Sequence, residues 1–259
     1  MSQTRPESAG TKKVLIATPT AEGKVTTSFA QTLLAAATAF SKAGFQYRQA
    51  FFDGADVAMA RNAFANILLA DEGCTHLLFV DSDMAVDIEV FARLIQWGKP
   101  LAGPVCTERS LDLDRFVEEI RGGASKERAL AVASNFAVMA APGRIEVTNG
   151  FCKVEALGFG CVLIERSVFT ALAERGLAKK TPAGKLARHG LGPDIYDFFS
   201  ETAGPDGARV SEDFSFCRRA REAGFDIWGY GAASIGHVGA FTYGASFIER
   251  LKAASEPRK

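Results

Sequence analysis

Apolar residues recur along the chain in two rhythms, and their alternation outlines a fold. Residues 14–18 (Val-Leu-Ile-Ala-Thr) form a short continuous apolar run, as in a strand buried on both faces. Phe29, Leu33, Ala36, Ala37 and Phe40 then recur at helical spacing, which predicts a helix capped by Ser28, running to about Ala43 and stopped by Gly44. Residues 45–52 read as a second strand that ends in the turn Asp53-Gly54-Ala55-Asp56. Residues 57–70 predict a second helix with Ala60, Phe64, Ile67 and Leu68 facing inward. The third strand, His76-Leu-Leu-Phe-Val80, runs directly into Asp81-Ser82-Asp83-Met84. This strand, helix, strand, helix, strand order predicts a doubly wound parallel sheet.

Beyond Asp87, a cap residue, residues 88–97 predict a third helix and residues 100–105 a fourth strand, with Cys106-Thr-Glu-Arg109 in the loop after it. Residues 111–132 are charged and read as partly helical, broken near Gly122-Gly123. From Ser134 the pattern changes. Short strands are predicted at 135–140, 145–148 and 153–157, joined by Pro-Gly and Asn-Gly turns. Gly158-Phe159-Gly160 leads into an apolar strand at 161–164, and Ser167 is predicted to cap a helix to about Arg175. Residues 179–210 hold glycine, proline and charge, and read as a long functional or disordered loop. Ser211 opens a helix over 212–223, closed by Gly224; a final strand at 225–228 follows, and then Gly236-His237-Val238-Gly239.

Composition narrows the class. The 259 residues are 47% hydrophobic, enough for a full core. Thirty basic residues balance thirty acidic ones, so no global field draws the chain to nucleic acid or membrane. The five cysteines (74, 106, 152, 161 and 217) lack metal-finger spacing and read as buried thiols of a reducing compartment. The N-terminus has no apolar signal core, and no run reaches the roughly 18 apolar residues of a membrane span. The expectation is a cytoplasmic protein with a disordered leader over residues 1–12 and a tail over 249–259.

The chemistry gathers at Asp81-Ser82-Asp83. Two carboxylates so close repel unless a cation shares them. At the carboxyl end of a parallel strand they sit where open α/β sheets bind ligands. Hard cations such as Mg²⁺ or Mn²⁺ bind through one or two carboxylates plus substrate phosphates. The competing reading is a solvated loop. Glu212 and Asp213 lie in the first turn of a helix, where acids also simply favour the dipole. His237 lies between glycines after the last strand; it reads either as a ligand to the same cation or as a structural histidine, and imidazole would favour Mn²⁺ over Mg²⁺. His76 reads as packing or as a strand-edge residue. Gly158-Phe-Gly160 lets backbone approach a ligand or makes a bulge. Trp228, Phe241 and Tyr243 read as core, with an acceptor groove as the alternative, and the basic residues of 179–188 read as a solvated loop or as a contact for an anionic acceptor.

In sum, Val80-Asp81-Ser82-Asp83 resembles the Asp-X-Asp motif of GT-A-fold glycosyltransferases, family 2-like members above all. Further elements stand in that family's order: Thr18-Pro19-Thr20, Asp53, Arg61-Asn62, Ser211-Glu212-Asp213 and Gly236-His237. The resemblance spans roughly residues 14 to 243. It implies an α/β, GT-A-type single domain with a mostly parallel Rossmann-like sheet flanked by helices and a smaller mixed acceptor-side region. Residues 13–110 would form the nucleotide-sugar-binding half and 111–248 the acceptor and catalytic half. It further implies transfer from a UDP-sugar to an acceptor hydroxyl with Mn²⁺ or Mg²⁺, with inversion. Asp83 is then the first metal ligand, joined by Asp81 and His237. Asp81 also reaches the donor ribose or sugar, with Ser82 in the same donor loop. Thr18, Pro19 and Thr20 meet the nucleotide, Asp53 accepts from the uracil imide, Arg61 pairs with the diphosphate or stacks near the base (without the family pattern it reads equally as a surface arginine on an amphipathic helix), and Gly160 lies by the sugar. Asp213 is the general base, with Glu212 in reserve or positioning the acceptor. The acceptor is left open among a glycan, a small molecule, a protein and a modified nucleic acid. Two rivals remain: a haloacid-dehalogenase-like phosphatase, which would carry its motif on the first core strand, and a nucleotide-sugar-binding module without turnover.

Overall fold

The computed structural model describes residues 12–239. Eight strands form one sheet: β1 (Lys13–Thr20), β2 (Gln46–Asp53), β3 (His76–Val80), β4 (Leu101–Pro104), β5 (Val138–Ala140), β6 (Phe151–Leu157), β7 (Cys161–Glu165) and β8 (Ile227–Tyr230). Their order across the sheet is β2-β1-β3-β7-β4-β8-β6-β5. β1 pairs in parallel with both β2 and β3, and β4 in parallel with β8. β7 runs antiparallel between β3 and β4, and β6 runs antiparallel between β8 and β5. The sheet is therefore mixed but mostly parallel, flanked by helices on both faces, in keeping with the GT-A-type α/β architecture expected from the sequence.

Alternation along the strands sorts the core into two layers. Leu15, Ala17, Leu77, Phe79, Val162 and Ile164 face α2 (Val57–Ala70), α6 (Arg166–Glu174) and α7 (Glu212–Glu222). Val14, Ile16, Leu78, Val80, Cys161 and Leu163 face α1 (Thr27–Lys42) and α3 (Ile88–Trp97). α4 (Leu113–Arg121) and α5 (Lys126–Ala133) form a hairpin outside both layers. No helix among the described residues is long and apolar enough to cross a membrane.

Several local expectations are corrected. The cap of α1 is Thr26, whose Oγ1 accepts from the Phe29 N–H at 3.1 Å, and not Ser28, which lies inside the helix. Ser167 likewise lies within α6, whose cap position is Glu165. Thr107–Leu111 is not a loop but a short strand paired with Ser134–Phe136. The run 145–148 makes no strand; Thr148 only bridges to Phe151. The stretch 179–210 is folded. Lys179–Pro182 pairs with Asp194–Asp197, Thr202–Ala203 pairs with Arg209–Val210, and Phe198 and Phe199 are fully buried. Two asparagines of α2 dock it. Asn62 Oδ1 accepts from the Phe198 and Phe199 N–H groups at 2.8 and 3.1 Å, while Asn66 exchanges hydrogen bonds with the Tyr196 backbone at 2.9 Å. Trp228 packs edge-on to Trp97, in line with a packing role. Phe241, Tyr243, the expected tail and nearly all of the leader lie outside the described residues.

Candidate functional site

The site is built on the carboxyl edge of the sheet, where β1, β2 and β3 end. β3 is buried at all five positions, so the chain leaves the core only at Asp81. There the Asp81 N–H donates to the Gly160 carbonyl at 2.9 Å, and the Met84 N–H closes a turn onto the Asp81 carbonyl at 3.1 Å. Met84–Ala85 then pairs with Gly236–His237, and the Val238 N–H donates to the Asp83 carbonyl at 2.8 Å. Backbone pairing thus places His237 beside the acidic turn although more than 150 residues separate them in sequence.

Arg61 sits behind the turn. It is buried in α2, 3% exposed, with its guanidinium over the rings of Phe79 and Phe159. Its Nη1 donates to Glu212 Oε1, and its Nη2 lies 3.4 Å from Asp81 Oδ2. Arg61 lines the cleft beside this turn, its guanidinium held by two carboxylates of its own chain, and it is buried rather than a surface arginine. Burial pushes the Asp81 carboxyl above its ordinary range, a trend that Arg61 opposes and Asp83 reinforces. Burial likewise raises Glu212, against the pull of Arg61 and with the push of Asp213.

Asp83 faces the other way. Its Oδ2 is 3.3 Å from His237 Nε2 and 3.2 Å from Arg109 Nη1. His237 Nδ1 lies 2.8 Å from the Thr107 carbonyl, which can only accept, so Nδ1 carries the proton. In the neutral imidazole Nε2 is then a lone pair directed at a carboxylate. Two acceptors facing each other call for a cation between them or a proton on the ring. Asp81 Oδ1 is buried with no hydrogen-bond partner. Asp83 and His237 are two donors of the kinds that Mn²⁺ or Mg²⁺ takes, and Asp81 Oδ1 is a further unpartnered oxygen on the same turn. Among the described residues no three His, Cys, Asp or Glu side chains converge as a group that could hold a metal ion, so an ion at Asp83 and His237 would need its other ligands from solvent or substrate.

A cleft of about 280 Å³ opens above this turn, and its lining includes Asp81, Arg109, Gly158, Gly160, Asp213 and His237. Asp213 enters it from the start of α7. Its Oδ1 accepts from the Ser211 hydroxyl and from the Phe214 N–H, the latter at 2.7 Å. Its Oδ2 faces Gly158, 3.6 Å from where a side chain there would begin. Gly158 is required by close approach, since a Cβ would stand 2.6 Å from the Cβ of Ala137. Cys106 also lines the cleft, but burial pushes its thiol up to about 12, which leaves it protonated and without nucleophilic character.

The remaining expected residues sit on the same sheet edge but not in this cleft. Thr20 and Asp53 are register partners at the ends of β1 and β2. Asp53 Oδ1 accepts from the Gly23 N–H at 2.8 Å and from the Thr20 hydroxyl at 3.3 Å, so one oxygen closes the loop after β1. Thr18 is buried with its hydroxyl unpaired, and Pro19 is half-buried between them. The Ser82 carbonyl accepts from the Thr26 N–H at 3.0 Å, tying the acidic turn to the start of α1. Sequence reasoning missed Arg109 and Thr107. Their position directly after a parallel strand's carboxyl end was the available signal.

No protein-family model matches the chain, and no curated protein sequence matches it. Among solved structures it is similar to the crystal structure of A197 from STIV, with 14% identity and a TM-score of 0.43 over 88% of this chain and 86% of that one. It is also similar to GalNAc-T7, a structure with UDP, GalNAc and Mn²⁺, with 12% identity and a TM-score of 0.42. That likeness covers 89% of this chain but 43% of the other, so the chain spans less than half of that protein's length. Likenesses this distant carry no functional argument, which rests on the site's own geometry.

Proposed function

We propose that this protein is a metal-dependent glycosyltransferase that moves a sugar from a nucleotide-diphosphate donor, UDP-linked, to an acceptor hydroxyl with inversion. The observation that carries the reading is the sharing of one cleft by Asp213, Asp81 and His237, with Asp83 Oδ2 3.3 Å from His237 Nε2. An inverting transfer needs a carboxylate on the acceptor side and charge stabilisation at the departing diphosphate. Asp213 supplies the first: with Oδ1 held by Ser211 and Phe214, Oδ2 takes the proton from the acceptor hydroxyl. A Mn²⁺ or Mg²⁺ ion held by Asp83, His237 and Asp81 supplies the second when bound, by placing positive charge against the diphosphate. Glu212, tied to Arg61, is a positioning residue rather than a second base. Thr18, Pro19, Thr20, Asp53 and Ser82 belong to the nucleotide side of the same edge, and Gly160 to the sugar side.

The test is turnover of UDP-sugars with Mn²⁺, read as UDP release with and without acceptors. Wild type should release UDP, and Asp83→Ala should lose both turnover and the metal-dependent part of its UDP affinity. Equal UDP affinity in the two proteins, with metal present, would overturn the metal role. Phosphate release from simple monoesters with no nucleotide requirement would point to the phosphatase. Nucleotide binding without product across a broad acceptor screen would leave a binding module.

A further inference from the structure

We propose that Arg109 is an exchangeable counter-ion of the site: it neutralises Asp83 in the metal-free protein and turns to the donor diphosphate once a metal ion takes its place. The inference rests on the transferase reading above and assigns a residue that neither motif nor resemblance singled out. Arg109 and His237 converge on the same oxygen, Asp83 Oδ2, at 3.2 and 3.3 Å. The guanidinium thus occupies one flank of the position a cation would claim.

Exposure decides whether it can leave. The Arg109 side chain is 59% exposed and Asp83 24%. Exposed ion pairs contribute little, so a divalent ion displaces the guanidinium at small cost. Arg61 is the opposite case, 4% exposed and locked between Asp81 and Glu212. Among the described residues lining the cleft, Arg109 is therefore the one arginine with a fork free to reach a diphosphate. Its base is fixed while its head is not. Thr107–Leu111 is held by pairing to Ser134–Phe136 and by the Thr107 carbonyl contact to His237. The stem runs along Gly239, where a Cβ would stand 3.0 Å from Arg109 Cδ. A side chain at that position would crowd the stem; glycine leaves it room to swing.

Arg109→Gln separates the two roles because they change affinity in opposite directions. Mn²⁺ alone, titrated without nucleotide, should bind about 2- to 10-fold tighter, since a competing cation is gone. UDP titrated with saturating Mn²⁺ should bind about 10- to 100-fold more weakly, the loss of a charge-assisted bidentate contact. UDP titrated without metal should be nearly unchanged, because Arg109 is then still engaged by Asp83. Arg109→Lys, which keeps the charge but not the fork, should restore wild-type Mn²⁺ affinity while recovering UDP affinity only in part. Unfolding temperatures matching wild type confirm that the variants fold, as the exposure of Arg109 leads one to expect. Mn²⁺ affinity that is unchanged or weaker in Arg109→Gln overturns the proposal, as does a UDP loss of equal size with and without metal. Failure of the underlying reading looks different: wild type itself then shows no Asp83-dependent Mn²⁺ binding.

Discussion

Arg61 carries two carboxylates on one buried guanidinium, and replacing it with methionine removes the charge while keeping an apolar stem against Phe79 and Phe159. Removing one partner of a buried ion pair costs about 3–5 kcal/mol, because the other charge stays buried and unpaired. Glu212 is 14% exposed and fits that case. Asp81 is 28% exposed and its contact is long at 3.4 Å, so water covers part of its loss and it adds little. Allowing for that solvent access, the expected cost of Arg61→Met is about 2–4 kcal/mol. For a chain of this size that lowers Tm by about 6–12 °C in thermal unfolding followed by circular dichroism. The double variant Arg61→Met/Glu212→Gln removes the stranded charge and should recover about 1–2 kcal/mol, an interaction measured directly by the double-mutant cycle. If Glu212→Gln instead deepens the loss in the Arg61→Met background, the buried-pair account of this site is wrong.

Other consequences are as direct. On the base role proposed for it, Asp213→Asn should keep wild-type UDP affinity while transfer falls by about 10²- to 10⁴-fold, measured as product formation beside UDP titration. Gly158→Val forces a side chain to within 2.6 Å of Ala137 Cβ and into the space before Asp213 Oδ2, and should cost about 1–3 kcal/mol in urea unfolding. His76 is pushed down to about 4 by burial first and Lys12 second. The Glu165 carboxylate at 3.9 Å would favour the charged ring, but it is beyond hydrogen-bond reach and a third exposed. The unfolded chain therefore takes up a proton near pH 6.5 that the folded chain refuses until about pH 4, and stability should fall by about 1–3 kcal/mol as pH drops through that window. His76→Gln should flatten that part of the profile, and ring titration by NMR checks the folded value.

What could be read along the chain was whatever its local pattern determines. β3 and the acidic turn were legible because five buried residues in a row leave only a strand and because acids cannot follow it inward. α2 was legible to its ends because Asp56 caps it, with Oδ1 accepting from Met59 N–H at 3.0 Å, and its apolar spacing is regular. The cap of α1 was misplaced by two residues because Thr26, Thr27 and Ser28 all have cap chemistry, and only Thr26 has its hydroxyl at the right N–H. The 179–210 stretch was misread because its support is remote. Its polar composition resembles a loop, but Asn62 and Asn66, over 100 residues earlier, satisfy its backbone. The same distance hid Arg109: its strand exists only through Ser134–Phe136, beyond the α4–α5 hairpin.

The antiparallel strand β7, wedged between β3 and β4, bears on how this protein is made. β4 has no sheet neighbour among the strands that precede it; it pairs with β7 and β8. As the chain leaves the ribosome, β1, β2 and β3 can close on one another while β4 waits, unpaired and apolar, for strands not yet synthesised. Truncation after β4 would freeze that waiting state, with a sticky strand and an acidic turn that lacks its Gly160 anchor. A fragment that ends just after β4 should therefore aggregate, and the nascent chain is most exposed to chaperones between the emergence of β4 and that of β7.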